Sequence, residues 1–149
     1  PGLTDKEFIM ADASVTAASV MPGSDPVYRE GILKSTTTIG QTAYLSTTDG
    51  TNPPTYGLLD ANAADELATI AGVFMTGGVA GQRCSILVGG NYNPGFSATA
   101  GEMYIGTATA GGIAHIDDVA SGWKIATVGV ATTASNIKLN LFSSLTALA

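Results

Sequence analysis

This sequence predicts an all-β fold: a small β-sandwich or barrel-like domain of short antiparallel strands, preceded by an N-terminal arm. Three observations carry the prediction. The stretch Gly101–Leu141 divides into four runs of β-branched and aromatic residues separated by turn chemistry. Similar runs, again closed by Gly, Pro, Asn and Asp, recur from Val27 to Val88. At 149 residues the chain is one domain long, and a chain of that size buries about 68–70% of its unfolded surface without staples.

The first thirty residues differ from the rest. Thr4, Asp5, Lys6 and Glu7 match a capping box, in which the Thr4 hydroxyl and the Glu7 carboxylate satisfy free N–H groups of a first helical turn. Phe8, Ile9 and Met10 follow, then an Ala/Ser/Val stretch to Val20, which reads either as a short helix or as an extended arm. An arm with that apolar cluster needs a partner surface; the other reading folds it back on its own core. Met21–Pro26 (MPGSDP) is a breaker cluster and the expected hinge. The expected division is therefore residues 1–30, arm or short helix plus hinge, and residues 31–149, the β domain.

Strands are expected at Val27–Leu33, Ala43–Thr47, Tyr56–Leu59, Thr69–Met75 and Arg83–Val88, the last buried on both faces. Asp49–Thr55 (DGTNPPT) reads as a turn, since Asp-Gly favours a hairpin and Pro53-Pro54 cannot lie inside a central strand. Asn62–Leu67 is one helical turn or a corner. Gly72 inside a strand marks a bulge or a close backbone approach. Gly77, Gly78 and Gly81 form a turn, and Gly89–Ala100 a loop holding Tyr92 and Phe96. Downstream, strands are expected at Met103–Gly106, Ile113–Ile116, Trp123–Ala131 and Asn136–Leu141. A tight turn at Gly111-Gly112, a corner from Asp117 to Gly122 and a loop over Thr132–Ser135 separate them. The order Tyr-aliphatic, turn, strand ending in Asp, corner, Ala-Thr-aliphatic-Gly-Val occurs twice. Two similar β-units, about 41–76 and 101–133, packed face to face, would explain it; chance likeness of two Ala/Gly/Thr-rich segments is the alternative.

Charge sharpens the partner question. The net charge is −6, with nine acids and three bases in residues 1–66 and three of each in residues 67–149. An acidic chain without a Lys/Arg cluster is a poor binder of nucleic acid or of an anionic membrane. Charged residues are 12% of the chain, so a weakly charged surface is expected to be covered by copies of itself or by another protein. No run of about 20 apolar residues predicts a membrane helix, and no signal-peptide pattern is present. Pro1 suggests an initiator Met removed before it. Cys84 is the only cysteine, expected as a buried small hydrophobe, and assembly in a reducing compartment fits it.

Few residues invite chemistry. His115 is the only histidine; a triad would need Asp117 or Asp118 with a serine such as Ser121, and no Gly-x-Ser-x-Gly elbow accompanies it. One His and one Cys fall short of a His/Cys metal site, and Asp117-Asp118 and Asp65-Glu66 lack calcium-loop spacing. The Gly77–Gly81 stretch lacks the Lys-Ser/Thr of a phosphate loop. The expectation is no catalytic residue, no metal and no cofactor: not an enzyme. Trp123, on the face of Ile125, reads as a core or subunit-interface plug, and this pair is the expected self-association site.

The stretch Met103-Tyr104-Ile105, Thr109–Ile113, Asp118-x-x-Ser121-Gly122, Ile125–Thr133 and Asn136–Asn140 resembles the head decoration, or capsid cement, proteins of tailed bacteriophages. Ala43-Tyr44-Leu45, Gly57–Ala61 and Ile70–Val73 extend the likeness over roughly residues 40–142, while residues 1–36 and Asn52-Pro53-Pro54 depart from it. The resemblance implies a structural virion protein, made in the host cytoplasm. It would bind the major capsid protein on the outer surface of the head, as a homotrimer, and stabilise the lattice. Phe8, Ile9 and Met10 are the expected capsid contact. A head- or tail-fibre module that binds a host receptor or glycan through Tyr92, Phe96 or Trp123 is the alternative.

Overall fold

The computed structural model describes residues 12–149. Among them the strands are β1 (Met21–Pro22), β2 (Val27–Leu33), β3 (Thr42–Thr51), β4 (Pro54–Leu58), β5 (Ile70–Phe74), β6 (Arg83–Gly89), β7 (Asn91–Asn93), β8 (Met103–Gly106), β9 (Ile113–His115), β10 (Lys124–Thr133) and β11 (Asn136–Ala147). The only helical pieces described are the 3₁₀ turns Ala17–Ser19 and Ile116–Asp118. The protein is all-β, as its sequence predicts. Strands β2-β4-β3-β5-β6 close into a barrel, and β1-β7-β11-β10-β8-β9 form an open six-stranded sheet.

The two sheets repeat one plan. In the barrel, β3 pairs with β4 on one side and β5 on the other, β5 pairs with β6, and β6 with β2. In the open sheet, β8 pairs with β9 and β10, β10 with β11, and β11 with β7, all antiparallel. Residues 27–89 and 91–147 thus share their strand order, a likeness wider than residues 41–76 and 101–133. Each half also bulges beside a glycine. Ala71 is the extra residue next to Gly72, and Val128 the extra residue next to Gly129. At both glycines a Cβ would run into a carbonyl of the following strand, Leu87 O or Lys138 O, so the close approach requires Gly. The register corrects one detail of the sequence pattern. Gly72 lies opposite Ala43, and Gly129 opposite Tyr104, so Tyr44 corresponds to Ile105 rather than to Tyr104. A one-residue offset puts the two tyrosines on opposite faces.

The halves differ in closure. In the first, Ile32 and Leu33 of β2 pair in parallel with Thr55 and Tyr56 of β4, an exception to the expected antiparallel pairing. Gly31 permits the approach, because a Cβ there would meet Pro54 O at 2.5 Å and the Tyr56 ring at 2.6 Å. Leu33, Ala43, Tyr56, Phe74, Cys84 and Ile86 fill the barrel. Cys84 is buried, as expected, and burial pushes its thiol pKa up. In the second half β7 has three residues and never reaches β9. Its inner face packs instead on the barrel wall. Leu59, Ile70, Val73 and Leu87 from the barrel meet Tyr92, Tyr104, Ile113, Val128 and Ile137 from the sheet.

Several boundaries move. The expected division at residue 30 falls inside β2, so the arm-and-hinge segment is shorter than 1–30. Residues 12–20 hold no α-helix, and the expected hinge is pinned: Met21 and Pro22 pair with Asn93 and Tyr92, and Gly23 N–H donates to Asn91 O at 2.6 Å. The turn expected over Asp49–Thr55 is confined to Asn52-Pro53: β3 runs on to Thr51, and Pro54 can open β4 without an N–H but cannot lie within it. Residues 62–67 make a corner of turns, β9 ends one residue early, and β7 lies in an expected loop. The last strand runs to Ala147 rather than Leu141, because β10 offers it a partner as far back as Lys124.

Candidate functional site at the open seam

Where β2 closes the first half, a stretch of coil crosses the second. Ala13 N–H donates to Ile113 O of β9 at 2.7 Å, and Thr16 N–H donates to Gly95 O, just after β7, at 2.8 Å. Between these tethers lies a cleft of about 390 Å³ lined by Ala13, Phe96, Thr99, Tyr104, His115, Asp117 and Asp118. Phe96 and Tyr104 lie 5.4 Å apart, centre to centre, and the His115 ring stands edge-on to Tyr104 at 5.4 Å. The Tyr104 hydroxyl accepts the Thr99 N–H at 2.8 Å, which fixes the cleft's floor.

His115 is held from both sides. It caps the 3₁₀ turn Ile116–Asp118, its Nδ1 accepting the Asp117 N–H at 3.0 Å. That leaves the ring proton on Nε2, which faces Glu102 Oε1 at 3.0 Å. Asp117 Oδ2 stands 3.6 Å from Nδ1. Among the described residues the ring nitrogens meet the Asp117 N–H and the Glu102 and Asp117 carboxylates, and no hydroxyl is hydrogen-bonded to them. Ser121, the serine of the expected triad, sits exposed in the following turn, outside the cleft. Asp118 is only 7% exposed, and burial holds its carboxyl above the usual carboxylate range. His115 opposes that shift, and the charges of Asp117 and Asp12 add to it. Ligand atoms of Glu102, His115 and Asp117 lie within 4.8 Å of one another, a spacing a metal ion can bridge. Sequence alone shows His115 and Asp117-Asp118; Glu102, immediately before β8, is brought in by the β8–β9 pairing.

The residues expected to meet other proteins fall elsewhere. Phe8, Ile9 and Met10 lie outside the described residues. Trp123 is half-buried and precedes β10 rather than opening it; Ile125 is half-buried within it. Neither belongs to the core. Leu148 N–H donates to Trp123 O at 2.8 Å, and Gly122 N–H to Leu148 O at 2.7 Å, so the residue after β11 stays paired to the backbone around Trp123. On this hairpin Ala126 and Ser143 pair on the barrel side, and Thr127 and Phe142 on the outer side. Phe142 is 62% exposed, with Leu145 and Leu148 also exposed. Sequence reasoning missed these three because the strand was ended at Leu141. Tyr92, named for a glycan, is 1% exposed and therefore cannot serve one; its hydroxyl has no hydrogen-bond partner.

The fold defines a class, a small all-β protein built of two like halves, one closed and one open. Compared with known proteins, the chain matches no family, no curated protein and no solved structure.

Proposed function

We propose that this chain is a capsid decoration, or cement, protein of a tailed bacteriophage. It binds the major capsid protein on the outer head surface as a homotrimer and transforms no substrate. The resemblance over residues 40–142 suggests it, and one observation supports it furthest: the exposed apolar residues in the C-terminal half of β11. No charged residue follows Lys138, and Phe142, Leu145 and Leu148 are exposed there. A stretch of strand with exposed apolar side chains and no charge after Lys138 is an adhesive surface. A standard contact buries about 800 Å² per partner, within reach of this hairpin and its flanks. Phe8, Ile9 and Met10 supply the capsid contact.

The mechanism is linkage. A protein that binds only the assembled shell stabilises it by mass action, and many copies on one lattice add avidity. Purified protein mixed with bare, expanded heads should bind saturably and raise their disruption temperature; heads left unchanged would refute the reading. Light scattering should give a trimer's mass for the free protein, and Phe142→Asp should reduce it to a monomer's.

A further inference from the structure

We propose that the mouth of the barrel binds an amphipathic monocarboxylate, of the class of a medium-chain fatty acid, with its carboxylate on Arg29 and its tail in a trough along Leu45 and Ala71. The inference is independent of the capsid reading and concerns the closed half.

Strand register brings these residues together. Cys84 and Ile86 face the barrel interior, and they pair with Gly31 and Arg29 of β2. Residues directly opposite one another share a face of a sheet, so Arg29 lies on the inward register with Ile86. Leu45 pairs with Tyr56, another interior residue, and is 38% exposed. Two hollows meet at this end. One, of about 390 Å³, is lined by Arg29, Leu45, Pro54, Tyr56 and Ala71. The other, of about 480 Å³, takes in Leu45, Ile70 and Ala71 with Asp65 and Glu66. Leu45 and Ala71 belong to both, so the hollows form one trough with a guanidinium at one end and two acids at the other. Ligand sites run to about 300–1,000 Å³, and each hollow is of that order. Phe74 and Ile86 fill the interior, so a tail lies across the mouth and not within the barrel.

Charge sets the ligand's class and its direction. Among the described residues no ion pair includes Arg29. Its neighbour Glu30 is engaged elsewhere, accepting the Ser85 hydroxyl at 2.8 Å. A guanidinium offers a planar fork of donors that fits a carboxylate with two hydrogen bonds. The acids at the other end already have partners. Glu66 accepts the Thr47 N–H at 3.1 Å, and Asp65 stands 3.5 Å from Lys124 Nζ. Their charge repels a carboxylate there, which leaves Arg29 as the head-group end and disfavours a dicarboxylate.

The full chain is titrated with sodium octanoate below its micellar concentration and followed by amide NMR, with octanol, octyltrimethylammonium and sodium acetate as separate arms. The expected result is one equivalent of octanoate bound, with shifts centred on Leu45, Tyr56 and Ala71. Octanoate should bind about tenfold or more tightly than any of the other three. Arg29→Gln should remove that preference over octanol, and Leu45→Asp should weaken octanoate and octanol alike. No saturable shift at the mouth, equal affinity for octanoate and octyltrimethylammonium, or octanoate binding indifferent to Arg29→Gln would each overturn the proposal. Acetate binding as tightly as octanoate would overturn it too, because the trough would then contribute nothing. The four ligands are compared on the unaltered chain, so the test stands even if a variant fails to fold.

Discussion

The two halves of this molecule share strand order and a glycine-marked bulge, yet one is a closed barrel and the other an open sheet. The difference lies in the first strand of each. β2 has seven residues, enough to pair with β6 over most of its length and still reach β4 with Ile32 and Leu33. β7 has three, and at about 3.3 Å per residue it spans only some 10 Å before Pro94 and Gly95 turn it away. Closure removes edges. The open half must find other cover for its inner face, which it does with the barrel wall, and for its seam, which it does with Ala13–Thr16. The His115 cleft and the outer face of β10–β11 both belong to the open half, whereas the closed half offers its mouth. Incomplete closure thus leaves a seam and a strand face of the second copy free for binding.

The comparison can be broken most severely from the closed side. Phe74 is fully buried in the barrel, and its counterpart in the open half is Ala131. Phe74→Ala should cost about 3–5 kcal/mol in urea unfolding. Ala131→Gly, at the matching position, should cost about 1 kcal/mol. Comparable losses at the two sites would mean that the halves do not differ as described.

The shared bulge offers a sharper test. Gly72→Ala and Gly129→Ala each drive a Cβ into a carbonyl of the next strand, and each should lower stability by about 1–3 kcal/mol. A neutral Gly129→Ala would show that the bulges are not equivalent.

Tyr92 sits in the short strand that fails to close its half. Its hydroxyl is buried without a partner among the described residues, and burial drives its pKa up. Tyr92→Phe removes an unpaired polar group and should leave stability unchanged or raise it by about 1 kcal/mol. A clear loss would mean that the hydroxyl holds something in the open half.

The smallest effect is electrostatic and belongs to the barrel. The Asp49 carboxyl is held below its ordinary value of 3.8 by hydrogen bonds from Lys34 and then from the Ser46 hydroxyl. A lowered pKa contributes stability that is present above the unfolded value and lost as pH falls through the folded one. Asp49→Asn should therefore flatten the loss of stability below pH 3.8, with little change at neutral pH because the pair is exposed. Thermal melts across that range read it.

Much of the fold is legible from the residues. Val27–Leu33 is placed to the residue, because its composition and its bounding Pro26 and Lys34 are local signals. The Gly72 bulge is legible for the same reason. The site is less so. His115 and Asp117 are neighbours in sequence, but Glu102 joins them across the β8–β9 pairing, and no spacing rule connects residues 102 and 115. Phe142 escapes notice because the alternation Ile137, Leu139, Leu141 breaks there. The strand continues past the break only because β10 shifts register opposite it.

Turn chemistry and β-branched runs determine that this chain is a string of short strands and where most of them begin, because those preferences act within a few residues. Tertiary structure decides which sheet each strand joins, that one half closes while its likeness stays open, and that Glu102, just before β8, meets His115 at the end of β9. Those outcomes depend on strand reach and on packing between distant residues, and neither is written in any local run.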